Sequence, residues 1–154
     1  MINIRQATIQ DLEKILELNQ RVMAKIPSFD EDLVPNFTLT PQGKNYFRED
    51  ITRPEWCFLI AEEGGRIIGY TNGGLIDFLH RKSRYFEIQN LGVIPEMQRK
   101  GLGKQLLESI TSWAKEHGYQ KIYLNCYAAN EEALSFYRKN GYQDIDVCLE
   151  KKIE

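Results

Sequence analysis

The stretch Gln98-Arg99-Lys100-Gly101-Leu102-Gly103-Lys104 decides how the rest of this chain is read. Gly101 and Gly103 remove Cβ atoms at two positions where a ligand would pass close to the backbone. Arg99, Lys100 and Lys104 add positive charge around them. Beyond the glycines, Leu102, Leu106, Leu107, Ile110, Trp113 and Ala114 share one helical stripe, which ends near Gly118. Before them, Tyr85–Val93 reads as a strand. A strand, a glycine turn and a helix start leave unpaired N–H groups pointing at an anion, so a phosphate-type ligand is expected here.

Two common phosphate loops do not fit. A Walker loop needs Gly-Lys-Ser/Thr so that a hydroxyl can hold magnesium, but Gln105 follows Gly103-Lys104, and Gln98 stands where the first glycine belongs. A dinucleotide fingerprint needs a third glycine where Leu106 stands, and an acid at the end of the next strand, which Lys121–Tyr127 lacks. The pattern Gln-x-x-Gly-x-Gly after a strand fits with no mismatch.

Working outward, residues 2–7 alternate as a strand, and Thr8-Ile9-Gln10-Asp11 resembles a capping box. Leu12, Ile15, Leu16, Val22 and Met23 mark a helical face expected to end near Pro27. Thr40-Pro41 starts a second helix running to about Thr52. Trp56–Glu62 and Arg66–Phe78 read as strands joined by a hairpin at Glu63-Gly64-Gly65. Gly73-Gly74 suggests a bulge or a close backbone approach. After the glycine segment come a strand at Lys121–Tyr127, a helix at Asn130–Asn140 closed by Gly141, and one or two strands in residues 142–153. Tight turns between early strands predict antiparallel pairing, and the helix between Tyr85–Val93 and Lys121–Tyr127 predicts a parallel crossover. The expectation is an α/β (α+β) mixed sheet, mostly antiparallel, of roughly six or seven strands with helices on both faces.

A second motif joins the first. The apolar-small-apolar triplet Leu91-Gly92-Val93 precedes the glycine segment, and Asn130 opens a helix that carries Phe136-Tyr137 and closes at Gly141-Tyr142. Together these resemble the GCN5-related N-acetyltransferases (GNAT), specifically over about residues 85–142 and in element order over the whole chain. The resemblance implies a single N-acetyltransferase domain over residues 1–154 with acetyl coenzyme A as co-substrate. It implies cofactor binding by Leu91, Gly92, Val93, Gln98, Arg99, Lys100, Gly101, Leu102, Gly103, Lys104, Asn130, Ala133 and Tyr137. It implies that strands splay beside Leu91–Val93, freeing their backbone to pair with the pantetheine arm. Tyr137 matches the family's proton donor to the departing thiolate. Glu87, four residues before Leu91, matches the base of some members, acting directly or through water. Alternation places Glu87, Gln89, Leu91 and Val93 on one strand face. A catalytically silent acyl coenzyme A sensor is the competing reading; it would keep the glycine segment but lack the donor that Tyr137 supplies.

Bulk properties are compatible with this. The chain has 154 residues, 42% hydrophobic and 27% charged, which suits one soluble domain. A net charge of −2 with no long basic run argues against nucleic acid as partner. No leader-like or membrane-spanning run is visible, so a cytoplasmic location is expected. Cys57, Cys126 and Cys148 show no metal or disulfide spacing, and His80 and His117 are isolated, so no metal is implied. The acceptor is expected to be an amine on a small molecule, peptide or protein. Phe29-Asp30-Glu31-Asp32, Phe37, Tyr46, Phe47 and Asp77 are candidates to meet it. Pairing through sheet edges makes a homodimer an expectation from the resemblance alone.

Overall fold

In the computed structural model, which describes residues 1–154, Asn3–Gln6 forms β1, Leu12–Val22 α1 and Pro41–Thr52 α2. Cys57–Glu63 is β2, Arg66–Ile76 β3, Tyr85–Val93 β4, Leu102–Glu116 α3, Lys121–Tyr123 β5 and Glu131–Lys139 α4. Local chemistry sets several boundaries. Thr8 and Asp11 form the expected capping box before α1. The Thr40 hydroxyl accepts from the Gly43 N–H at 3.1 Å, with Pro41 at the first helical position of α2. Gly64 and Gly65 both take positive φ in the β2–β3 hairpin, as a tight turn with right-handed twist requires.

The sheet runs β1-β2-β3-β4-β5, antiparallel throughout except for the parallel β4–β5 pair bridged by α3. β2 is buried on both sides and shows how the layers divide. Phe58 and Ile60 join the larger core with Ile15, Leu16 and Phe47 of α1 and α2. Cys57 and Leu59 join a second core with Leu107, Ile110 and Ala114 of α3. Helices therefore cover both faces, as expected.

The strand count is five rather than six or seven. β5 pairs from Lys121 only as far as Tyr123, short of the expected Tyr127, and residues 142–153 form no strand. Alternation at Ile145, Val147 and Leu149 suits a strand, but a strand exists only with a partner. These side chains stay exposed, and the segment is tied to the body by Arg138–Asp144 and Arg81–Asp146 ion pairs. Cys148, on the same segment, is exposed. No helix is long and apolar enough to cross a membrane.

Candidate active site

The turn before α3 has the shape that its sequence implies. Gly101 sits at φ 84° as the residue preceding α3, and Arg99 takes φ 60°, which a non-glycine residue rarely adopts. None of the backbone N–H groups from Arg99 to Lys104 donates to a backbone carbonyl. Such a run at a helix start is a concavity for an anion. α4 packs beside Gly103, where a Cβ would lie 3.7 Å from the Phe136 ring, an ordinary contact. Arg99 meets Glu132 of α4 at 3.5 Å, an exposed pair that an entering anion can displace. Gln98 does a different job, its amide donating to the Val93 carbonyl at 3.1 Å and tying the turn to the end of β4.

β4 is open on one side. Its pairing with β5 stops at Glu87↔Tyr123, so Ile88–Val93 has no neighbouring strand there. Ile94 donates to Ile68 of β3 at 3.0 Å. Strand alternation then turns the peptide groups of Leu91 and Val93 away from β3, toward the gap. That edge runs directly into the turn with the free N–H groups.

A bulge changes which side chains share a face. Asn72 pairs with Asn90 but Gly73 with Ile88, so Gln89 is an extra residue in β4. Phe86 and Ile88 join the α3-side core. Gln89 instead meets Tyr46 of α2, Asn90 meets Asn72, and Gly92 lies against Val22 of α1. Glu87 pairs with Gly74, over which Trp56 lies, and it acts electrostatically on Tyr46. Glu87 and Gln89 thus face α2, while Val93 lies with Leu106 of α3 against Gly69. The expectation of one shared face for Glu87, Gln89, Leu91 and Val93 fails because alternation resets at Gln89. The close approach expected at Gly73-Gly74 is present: a Cβ on Gly73 would stand 2.1 Å from the Glu87 carbonyl oxygen.

α4 supplies Asn130 and Tyr137. The Asn130 carbonyl oxygen caps the helix, accepting from Ala133 N–H at 3.2 Å. Tyr137 packs with Phe136, Tyr142 and Leu124 against the α3-side core. Burial pushes its phenol well above the ordinary tyrosine range, and nearby Cys126 and Tyr142 push the same way.

The opposite, α2-facing side is built from side chains. Tyr46 hydrogen-bonds Gln89, and burial with the charges of Asp50 and Glu87 raises its phenol to about 12. Burial also raises the Glu87 carboxyl above the usual range, partly offset by Gln89. Asp50 is 2% exposed and accepts from Asn72 at 3.0 Å; burial raises it to about 6. Asp50, Asn72 and Asn90 escaped the sequence reading. The available signal was two asparagines inside apolar strands. The loop after α1 reaches across to the β5–α4 connection, where Asp30 accepts from the Tyr127 hydroxyl at 2.9 Å and Phe29 stacks on the Tyr127 ring. Asp77 is exposed and makes no such link. No cluster of metal-ligating side chains occurs.

Known proteins share this fold. The family model described as "Acetyltransferase (GNAT) family" matches residues 24–142. The uncharacterized N-acetyltransferase YjgM of Escherichia coli is 25% identical over 146 residues, 95% of this chain and 84% of that protein. The spermidine N(1)-acetyltransferase of Thermoplasma acidophilum is 27% identical over 164 residues, 99% of this chain and 98% of that protein. The crystal structure of the PaiA N-acetyltransferase of Thermoplasma acidophilum in complex with coenzyme A superposes with TM-score 0.81 at 24% identity, covering 96% of this chain and 93% of that one. The chain belongs to the acetyltransferase (GNAT) family and is an acyltransferase with acetyl coenzyme A as co-substrate.

Proposed function

We propose that this acetyltransferase moves the acetyl group of acetyl coenzyme A to a primary amine, on a small molecule or on a protein N-terminus or lysine. The observation that carries this is the open β4 edge at Leu91–Val93 leading into the unpaired N–H groups of Arg99–Lys104. That edge can pair with an extended, amide-bearing arm, and the turn can hold the diphosphate at its end. We read residues 1–154 as one domain serving this reaction.

The thioester supplies the activated acyl carbon. The amine nitrogen bonds to that carbon, the carbon–sulfur bond breaks, and its electron pair leaves on sulfur. The Val93 N–H faces the gap, where it can polarise the carbonyl oxygen. Tyr137 gives its phenolic proton to the departing thiolate; the upward shift keeps that proton in place at neutral pH. The amine proton goes to Glu87, directly or through water. Glu87 accepts only when ionised, so its raised carboxyl moves the acid limb of the rate profile above the ordinary carboxylate range. The side-chain cluster on the α2 face suits the amine, because Glu87 and Asp50 favour a cation.

The test is release of coenzyme A thiol from acetyl coenzyme A with spermidine, an aminoglycoside and a peptide bearing a free α-amine. Turnover with at least one supports the reading; acetyl coenzyme A binding with no turnover on any favours the silent sensor. Glu87→Gln is expected to lower kcat about tenfold and remove the acid limb. An unchanged profile would remove Glu87 from the mechanism.

A further inference from the structure

We infer that the buried Asp50 carboxylate, acting through Asn72, fixes the Asn90 carboxamide so that its oxygen is presented to the ammonium of the acceptor amine. Asp50 is then a positioning residue, and Asn90 the residue that meets the substrate. The inference rests on the amine-acetylating reading above and names the residues that select its acceptor.

The argument is one of hydrogen-bond direction. A carboxylate can only accept, so Asp50 compels Asn72 to turn its NH₂ group toward α2, and Asn72 donates to it at 3.0 Å. Asn72 must then point its carbonyl oxygen at β4, where it accepts from the Asn90 NH₂ at 3.0 Å. With its donor so engaged, Asn90 is left with a carbonyl oxygen that has no protein partner. One charge therefore sets two amides in series, along a chain from α2 through β3 to β4. Asp50 is 2% exposed and Asn72 fully buried, so water does not scramble the chain, whereas Asn90 is half-exposed. Thr71 steadies the end of it, donating to the Asn90 backbone carbonyl at 2.9 Å.

The position matters as much as the direction. Asn90 follows the bulge residue Gln89, on the face that carries Glu87 and one residue before the open edge at Leu91. An amine approaching the thioester from the α2 side would pass Glu87 and Asn90 together. A lone buried carboxylate with a single side-chain partner is costly, and its attraction for a nearby cation is correspondingly strong. Charged or titratable groups around Asp50 are Arg53 and Glu49 on its own helix, the Tyr46 phenol one turn earlier and, across from Tyr46, Glu87 on β4. β3 brings the neutral Asn72.

The test uses the full-length enzyme and the amine that turns over best in the screen, with spermidine as first probe. Asp50→Asn keeps the shape but removes the charge that sets the direction. It is expected to raise the amine KM about tenfold, leaving kcat and the acetyl coenzyme A KM within about twofold. Asn90→Ala, checked for folding by its melting temperature because it leaves the buried Asn72 oxygen unpaired, is expected to raise the amine KM similarly. The pH profile separates this from a structural role. Below the amine's own pKa, log kcat/KM for wild type falls with unit slope, and it steepens as Asp50 protonates near pH 6. In Asp50→Asn the Asp50 step of that steepening is absent, while the acid limb assigned to Glu87 remains. An amine KM unchanged in both variants overturns the inference while the acetylation reading stands. A wild type that binds acetyl coenzyme A but acetylates no amine overturns both.

Discussion

The two sides of β4 are built from different materials. On the β5 side, the proposed donor site is main chain: the peptide groups at Leu91 and the N–H of Val93, whose carbonyl Gln98 holds, then unpaired N–H groups from Arg99 to Lys104. On the α2 side, the candidate acceptor site is side chain: Tyr46, Asp50, Asn72, Glu87, Gln89 and Asn90, brought together by α2, β3 and β4. Main chain recognises what every coenzyme A thioester shares. Side chains can change one at a time without disturbing that recognition. The contrast explains how one fold keeps a donor while acceptors vary.

The contrast can be broken from the middle. Tyr137 is proposed as the proton donor to the thiolate rather than as a grip on the cofactor, so Tyr137→Phe is expected to lower kcat about a hundredfold, or about 2.7 kcal/mol of barrier. Acetyl coenzyme A affinity should stay unchanged by calorimetry. A parallel loss of affinity would make Tyr137 a binding group instead. Next in size, Gly73→Ala attacks the acceptor side through its backbone. The new Cβ would stand 2.1 Å from the Glu87 carbonyl oxygen, so β3 and β4 must separate locally. A cost of about 2 kcal/mol follows, seen as a melting temperature lower by roughly 5 °C. Acetyl coenzyme A should still bind, because the turn before α3 is remote from that contact; lost donor binding would show that the sides are not separable. The smallest effect sharpens the donor side. Glu132→Gln frees Arg99 from its carboxylate partner, and acetyl coenzyme A should bind about twofold more tightly at low salt. Weaker binding would mean that Glu132 orients Arg99 rather than competing for it.

The same division governed what the sequence made legible. The shape of the glycine turn could be read because its requirements are local: glycines, a strand before and a helix after. β4 was placed at its observed limits, Tyr85–Val93, because its neighbours are turn-forming residues. The acceptor side was not legible. Asp50, Asn72 and Asn90 are far apart in the chain, and only packing of α2 on the sheet joins them. The bulge at Gln89 was invisible for a related reason. Gly73 announced an irregularity in β3, but the extra residue lies on β4, which strand alternation alone treats as regular. Lys121–Tyr127 and residues 142–153 were over-read as strands because apolar alternation states a preference, while a ladder needs a partner.

Backbone amide NMR during titration with acetyl coenzyme A tests the main-chain donor site most directly. The largest shifts are predicted at Leu91, Val93 and Arg99–Lys104, with Asp50 and Asn72 nearly unmoved until an amine is added. Shifts concentrated on the α2 side, or an unperturbed turn at saturating ligand, would contradict the account.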